Sequence, residues 1–111
     1  MNKTYNVKIT SQAEAQIQEI IYYITHELKA PDAALHLLDI LEDSFTSLAQ
    51  FPQRVTLIDE EPWRTRGIHR LPVRNFLVYF WIDEVKMTVQ ITAVIYGKHE
   101  QLRQLSQMDI E

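Results

Sequence analysis

The sequence has 111 residues, which fits one domain spanning residues 1–111 and a core large enough to fold without crosslinks. Hydrophobic residues make up 46% and charged residues 23%, so the composition is globular and excludes wholesale disorder. Cysteine is absent, which excludes disulfides, thiol catalysis and thiolate metal sites. Without a long apolar run or a signal-like N-terminus, the sequence predicts a cytoplasmic protein.

Charge is distributed unevenly along the chain. The formal net charge is −4, yet residues 1–61 carry four Lys/Arg against ten Asp/Glu, whereas residues 62–111 carry seven against five. Residues 62–82 contain no acidic residue. Such a basic stretch indicates either a surface for an anionic partner or a solvated strand edge. The arginines within it are Arg64, Arg66, Arg70 and Arg74.

The acidic half predicts one strand and two helices. Polar and apolar residues alternate over residues 5–10, as in a half-buried strand. Ser11 and Glu14 have the spacing of a capping box, which predicts that a helix over residues 12–29 begins there. A second apolar stripe over residues 31–50, with proline at its first position, predicts another helix. Because only a few residues join them, the two helices are expected to be antiparallel.

The basic half predicts three strands. After a loop over residues 52–66, a short strand is expected at 68–71. The almost continuous apolar run at 76–82 is typical of a central strand covered on both faces. Residues 88–95 alternate in polarity, and residues 99–108 predict a short C-terminal helix. Alternation places four residues of the last strand on one face: Val89, Ile91, Ala93 and Ile95.

The order β-α-α-β-β-β-(α) predicts an α+β fold. We expect an N-terminal strand and an antiparallel two-helix hairpin packed on a mainly antiparallel four-stranded sheet, followed by the short C-terminal helix. The sequence contains no glycine-rich phosphate loop and no metal-ligand spacing. We therefore expect neither a cofactor nor a metal.

The candidate functional residues are basic. In an antiparallel meander, the start of the third strand and the end of the fourth lie at the same end of the sheet, so Arg74, Lys98 and His99 are expected to converge. Arginine binds phosphate through a fixed fork of donors, and a histidine beside cations favours its neutral, basic form. This group could assist 2′-hydroxyl attack on RNA. Alternatively, the same residues bind an acidic protein or remain solvated.

Two segments resemble the RelE/ParE superfamily of bacterial toxins from type II toxin–antitoxin modules. They are residues 67–80 (G-I-H-R-L-P-V-R-N-F-L-V-Y-F) and residues 94–100 (V-I-Y-G-K-H-E). The resemblance covers nearly the whole chain in element order and length. It implies a small cytoplasmic toxin, of the kind found in plasmid stabilization systems, that inhibits growth and is held inactive by a cognate antitoxin. Antitoxins of this class commonly provide an acidic, amphipathic segment.

The superfamily offers two activities, inhibition of DNA gyrase by ParE-like members and cleavage of mRNA on the ribosome by RelE-like members. The L-P-V sequence before the central strand resembles ParE-like toxins. RelE-like nucleases usually have an arginine where this chain has Phe76. If the protein is an endoribonuclease, the resemblance implies that His99 and Arg74 are catalytic. A non-toxic antitoxin-binding module is a third alternative. The residues expected to bind a substrate or partner are Arg66, His69, Arg70, Arg74 and Lys98.

Overall fold

The computed structural model of the chain describes residues 4–96. This part contains four strands, two α-helices, a π-helical turn after the first helix and a short 3-10 turn after the second. In chain order they are β1 (Asn6–Ile9), α1 (Ser11–Tyr22), the π-turn (Tyr23–Glu27), α2 (Pro31–Ser47), the 3-10 turn (Pro52–Arg54), β2 (His69–Val73), β3 (Phe76–Asp83) and β4 (Thr88–Tyr96). The predicted C-terminal helix falls on residues outside this part.

The four strands form one sheet in the order β1-β4-β3-β2. β1 is parallel to β4, whereas β3 is antiparallel to both of its neighbours. The helices pack on one face of this sheet, so the predicted α+β architecture is confirmed. No helix in residues 4–96 is long and apolar enough to cross a membrane.

The first helix begins one residue earlier than the capping-box pattern predicts. Thr10, not Ser11, is the N-cap, and its Oγ1 accepts a hydrogen bond from the Ala13 N–H at 3.3 Å. The same hydroxyl donates to the Ile91 carbonyl of β4 at 2.9 Å. Thr10 is therefore fixed as the N-cap partly by its bond to a distant strand. A pattern of neighbouring residues carries no information about that bond.

The first helix is also shorter than predicted, because its last turn widens. Leu28 N–H bonds to the Tyr23 carbonyl, an i to i+5 contact of 3.1 Å that defines a π-turn. Lys29 then adopts a left-handed backbone with φ of 52°, which ends the helical path. Ala30 completes the short connection to α2, which begins at Pro31.

The central strand β3 is buried on both faces, as its apolar run predicts. Phe76, Val78 and Phe80 belong to the core beneath the two helices. Tyr79 faces the other way, into a second core covered by the loop over residues 55–68. The sheet thus has a helix face and a loop face.

The prediction that β4 alternates without interruption is wrong. Thr92 is an extra residue, because Phe80 pairs with Ile91 while Tyr79 pairs with Ala93. The Thr92 hydroxyl donates to the Tyr79 carbonyl at 3.2 Å, which fixes this β-bulge. Val89 and Ile91 therefore point to the helix face, whereas Ala93 and Ile95 point to the loop face.

Candidate functional site

The connection between β2 and β3 presents Arg74 at one end of the sheet. It consists of Arg74 and Asn75, since the flanking residues Val73 and Phe76 pair with each other. Arg74 is exposed and has a φ of 57°. For a residue with a Cβ this left-handed conformation costs about 1–2 kcal/mol. Strain of this kind persists where surrounding structure enforces it, and it is concentrated at functional positions.

The C-terminal end of β4 lies beside this turn. Phe76 pairs with Tyr96, and the two ring centroids are 5.1 Å apart. The strand order used to place Arg74 near the end of β4 is therefore confirmed. Lys98 and His99, the other two members of the predicted cluster, lie outside the described residues, so their convergence with Arg74 stays a prediction.

Arg70 lies on the loop face, where its guanidinium has two neighbours. Its charge acts on the hydroxyl of Tyr79, its cross-strand partner, and its Nη1 is 4.0 Å from Glu60 Oε1. Burial raises the pKa of Tyr79, and the charge of Arg70 opposes that rise only in part. Tyr79 is therefore a neutral hydroxyl at physiological pH. Arg70 is held in place yet keeps 37% of its side chain exposed.

His69 lies on the opposite face of β2 from Arg70. Its ring stacks on Phe80 with centroids 5.0 Å apart, and Nδ1 is 2.7 Å from the Val55 carbonyl oxygen. Because a carbonyl only accepts, Nδ1 carries the proton in this contact. The structure thus gives His69 a packing role and separates it from the arginine next to it.

Arg66 lies on the loop that covers the second core. Its guanidinium carbon is 5.6 Å from the ring centroid of Trp63, a cation–π contact, and the residue is exposed. The neighbouring Arg64 instead bonds to the Ile58 carbonyl and to Asp59. Arg66 and Arg70 thus share the loop side of the molecule, whereas Arg74 lies at its end.

Sequence reasoning missed a groove between α1 and the end of β4. Its cavity of about 420 Å³ is lined by Glu19, Tyr23 and Tyr96 among others. At its floor, Gln16 Oε1 accepts the Val94 backbone N–H at 2.8 Å. No local signal marks Gln16, because its role depends on where β4 passes.

The described residues contain no cluster of three or more His, Asp or Glu side chains able to hold a metal. What residues 4–96 do present is an arginine-bearing surface. Arg74 at the strained turn and the two loop-side arginines supply its cations.

The chain matches the family model described as "ParE toxin of type II toxin-antitoxin system, parDE" over residues 7–100. No curated protein sequence matches it. Among solved structures, it is similar to a chain of the chromosomal ParDE system from P. aeruginosa, with 19% identity and a TM-score of 0.70 over 86% of this chain and 99% of the other. It is also similar to a chain of the RelBE2 toxin–antitoxin complex from Mycobacterium tuberculosis, with 20% identity and a TM-score of 0.60 over 84% and 98%.

At such identities these two structures establish a shared fold. The family match covers most of the chain, including β2, β3 and β4. The protein therefore belongs to the ParE family of toxins from type II toxin–antitoxin systems.

Proposed function

We propose that this toxin arrests growth by inhibiting DNA gyrase and is neutralised by a cognate antitoxin that binds its basic surface. The observation that carries the proposal is the match to the ParE toxin family over residues 7–100. The sequence L-P-V before β3, which ParE-like members share, supports the same assignment. Neutralisation by an antitoxin is supported by the two similar structures, both of which are toxin–antitoxin systems.

The antitoxin part of the proposal is supported by charge. Residues 62–82 contain arginines and no carboxylate, and Arg66, Arg70 and Arg74 are all at least partly exposed. An acidic segment that folds on binding would meet complementary charge along this surface. Charge pairs of this kind determine partner choice and speed association more than they add affinity.

The ParE-like target is favoured over RNA by the position of Phe76. RelE-like nucleases usually carry an arginine at this place, whereas Phe76 is 1% exposed and packs against Tyr96. A nuclease would have to rely on Arg74 and His99 instead. Ribosome-dependent mRNA cleavage is therefore the second candidate, and a non-toxic antitoxin-binding module is the third.

The decisive experiment is inducible production of the chain with and without the neighbouring gene. We expect growth arrest without that gene and normal growth with it. Total mRNA should stay intact, a DNA-damage response should follow, and the purified toxin should inhibit supercoiling by purified bacterial DNA gyrase.

Two other outcomes would contradict the gyrase assignment. Rapid loss of mRNA that is abolished by His99→Ala or Arg74→Ala would identify a nuclease. Unchanged growth at full production of folded protein would identify a non-toxic binding module.

A further inference from the structure

Three consecutive acidic residues precede the basic stretch of the chain, and the fold brings them back to it. They are Asp59, Glu60 and Glu61, on the loop that covers the second core. Leu57 of this loop forms an antiparallel bridge with His69 of β2. The Arg70 N–H donates to the Thr56 carbonyl at 3.1 Å. The loop therefore lies along β2, and acidic and basic residues that the sequence separates meet there.

Two of these carboxylates lie beside arginines of the basic stretch. Asp59 Oδ1 is 3.4 Å from Arg64 Nη1, and the aspartate side chain is 91% exposed. Glu60 Oε1 is 4.0 Å from Arg70 Nη1, and 39% of the glutamate side chain is exposed. Burial is the main cause that raises the pKa of Tyr79, and both charges of the second pair act on it as well, Arg70 lowering it and Glu60 raising it. The Glu60–Arg70 pair is thus the more enclosed of the two.

The Glu60 carboxylate is incompletely satisfied in this arrangement. Its Oε2 is buried and has no hydrogen-bond partner among residues 4–96, and the 4.0 Å separation of its Oε1 from Arg70 exceeds a hydrogen bond. A carboxylate oxygen removed from water without a donor is destabilising. Turning Glu60 outward would return that oxygen to water, so little opposes the displacement of Glu60 from Arg70.

Arg70 can accept another carboxylate in place of Glu60. A guanidinium carries five N–H donors in a fixed fork that suits bidentate binding of a carboxylate, and the Arg70 side chain is 37% exposed. The single long contact with Glu60 is a weaker arrangement than that fork allows. An external carboxylate with better geometry would therefore compete with Glu60 directly for the same cation.

We propose that Glu60 pairs with Arg70 in the free toxin as an internal competitor of the acidic antitoxin segment, and that this segment displaces it on binding. The inference rests on the proposed function, because it requires an anionic partner at the arginine surface. Glu60 then acts as a specificity-determining residue. A partner gains from Arg70 only when its own carboxylate outcompetes the internal one, which disfavours poorly matched acidic proteins.

The test measures binding of the protein encoded by the neighbouring gene to Glu60→Gln by titration calorimetry. Glutamine keeps the shape of the side chain and removes its charge, so we expect the affinity to rise at least about threefold over that of the wild type. In an Arg70→Ala background the same change should alter affinity by less than about 1.5-fold, because the cation that it uncovers is absent.

Glu61→Gln is the matched control. It removes the same charge from the adjacent residue, whose carboxylate instead accepts the Thr65 N–H at 2.9 Å, and it should change affinity by less than about 1.5-fold. Equal gains from Glu60→Gln and Glu61→Gln, or no gain from Glu60→Gln, would overturn the inference. A lower affinity of Glu60→Gln would also overturn it, by showing that Glu60 positions Arg70 for the partner.

A fluorescent peptide made only of glutamate gives a second readout that does not depend on the antitoxin. At low salt it should bind Glu60→Gln at least about twofold more tightly than the wild type. If it does so while the neighbouring gene's protein fails to bind the wild type, the proposed function is contradicted and the inference stands. Equal binding of the peptide to both proteins would overturn the inference itself.

Discussion

The two connections of the β2–β3–β4 meander, one at each end, share a left-handed backbone residue but differ in where its side chain points. Each connection contains a left-handed residue with a Cβ, Arg74 at φ 57° in one and Met87 at φ 50° in the other. Arg74 is itself exposed and cationic. Met87 packs against the core, and the exposed tip of that connection is Val85. The same left-handed backbone thus presents a cationic side chain to solvent at one end of the meander and turns an apolar side chain toward the core at the other.

The largest effect should come from the core that both ends share. Phe80 is fully buried in β3 between the two connections, and Phe80→Ala should lower the free energy of unfolding by about 3–5 kcal/mol. Urea denaturation monitored by circular dichroism measures the change. Val85→Ala, a truncation at an exposed tip, should change it by less than about 0.5 kcal/mol. If Val85→Ala lowered the free energy of unfolding as much as Phe80→Ala, the exposed tip of the β3–β4 connection would contribute to stability as much as the core does.

A smaller effect should come from the arginine end. Arg74→Glu should weaken the antitoxin complex at least tenfold, about 1.4 kcal/mol, because it places like charge opposite an acidic segment. The loss should shrink as salt is raised. Calorimetric titration with the protein encoded by the neighbouring gene measures both changes.

Arg74→Gly provides the matched control for this charge reversal. It removes the charge and relieves the left-handed strain, so it should raise the free energy of unfolding by about 0.5–1 kcal/mol. Its affinity for the antitoxin should still fall. Affinity at the wild-type level in both variants would exclude Arg74 from that interface.

The smallest effect should be a pH dependence at the opposite end. The hydrogen bond to Glu84 is the main cause that raises the pKa of Tyr5 above its ordinary value of about 10. The folded state therefore holds the Tyr5 proton more tightly than the unfolded state does. The protonated hydroxyl stabilises the fold below about pH 10, and this stabilisation is lost as the pH rises further.

Melting temperatures from pH 8 to 11 test this sign. The wild type should lose more stability over this range than Tyr5→Phe, which has no proton to release there. The pKa of Tyr79 is also raised, but its contribution is common to both proteins and cancels in the comparison. Identical slopes would show that the Tyr5–Glu84 bond does not shift the proton equilibrium.

The sequence predicts the elements of this fold well because their patterns are local. The two helical stripes and the apolar run of β3 require no knowledge of distant residues. Thr10 and Thr92 escape prediction for the opposite reason. Each is fixed by a hydrogen bond to a remote carbonyl, of Ile91 and Tyr79 respectively, and threonine is common in strands and loops alike.

The candidate site shows the same division. Strand alternation alone separates His69 from Arg70, so their placement on opposite faces is readable from the sequence. The position of Arg74 beside the end of β4 follows from the strand order. Glu60 is different, because it precedes the basic stretch and reads only as part of the acidic half. Its approach to Arg70 depends on the path of the loop over residues 55–68.

The bulge at Thr92 has a consequence for comparing this chain with its relatives. The added residue reverses the alternation of faces for every later position in β4. Ala93 and Ile95 therefore lie on the loop face, which the even-numbered positions occupy before the bulge. In relatives that lack the added residue, the positions facing each side of the sheet should be displaced by one residue over the same stretch. An alignment that omits a gap there would equate residues beneath the helices with residues beneath the loop.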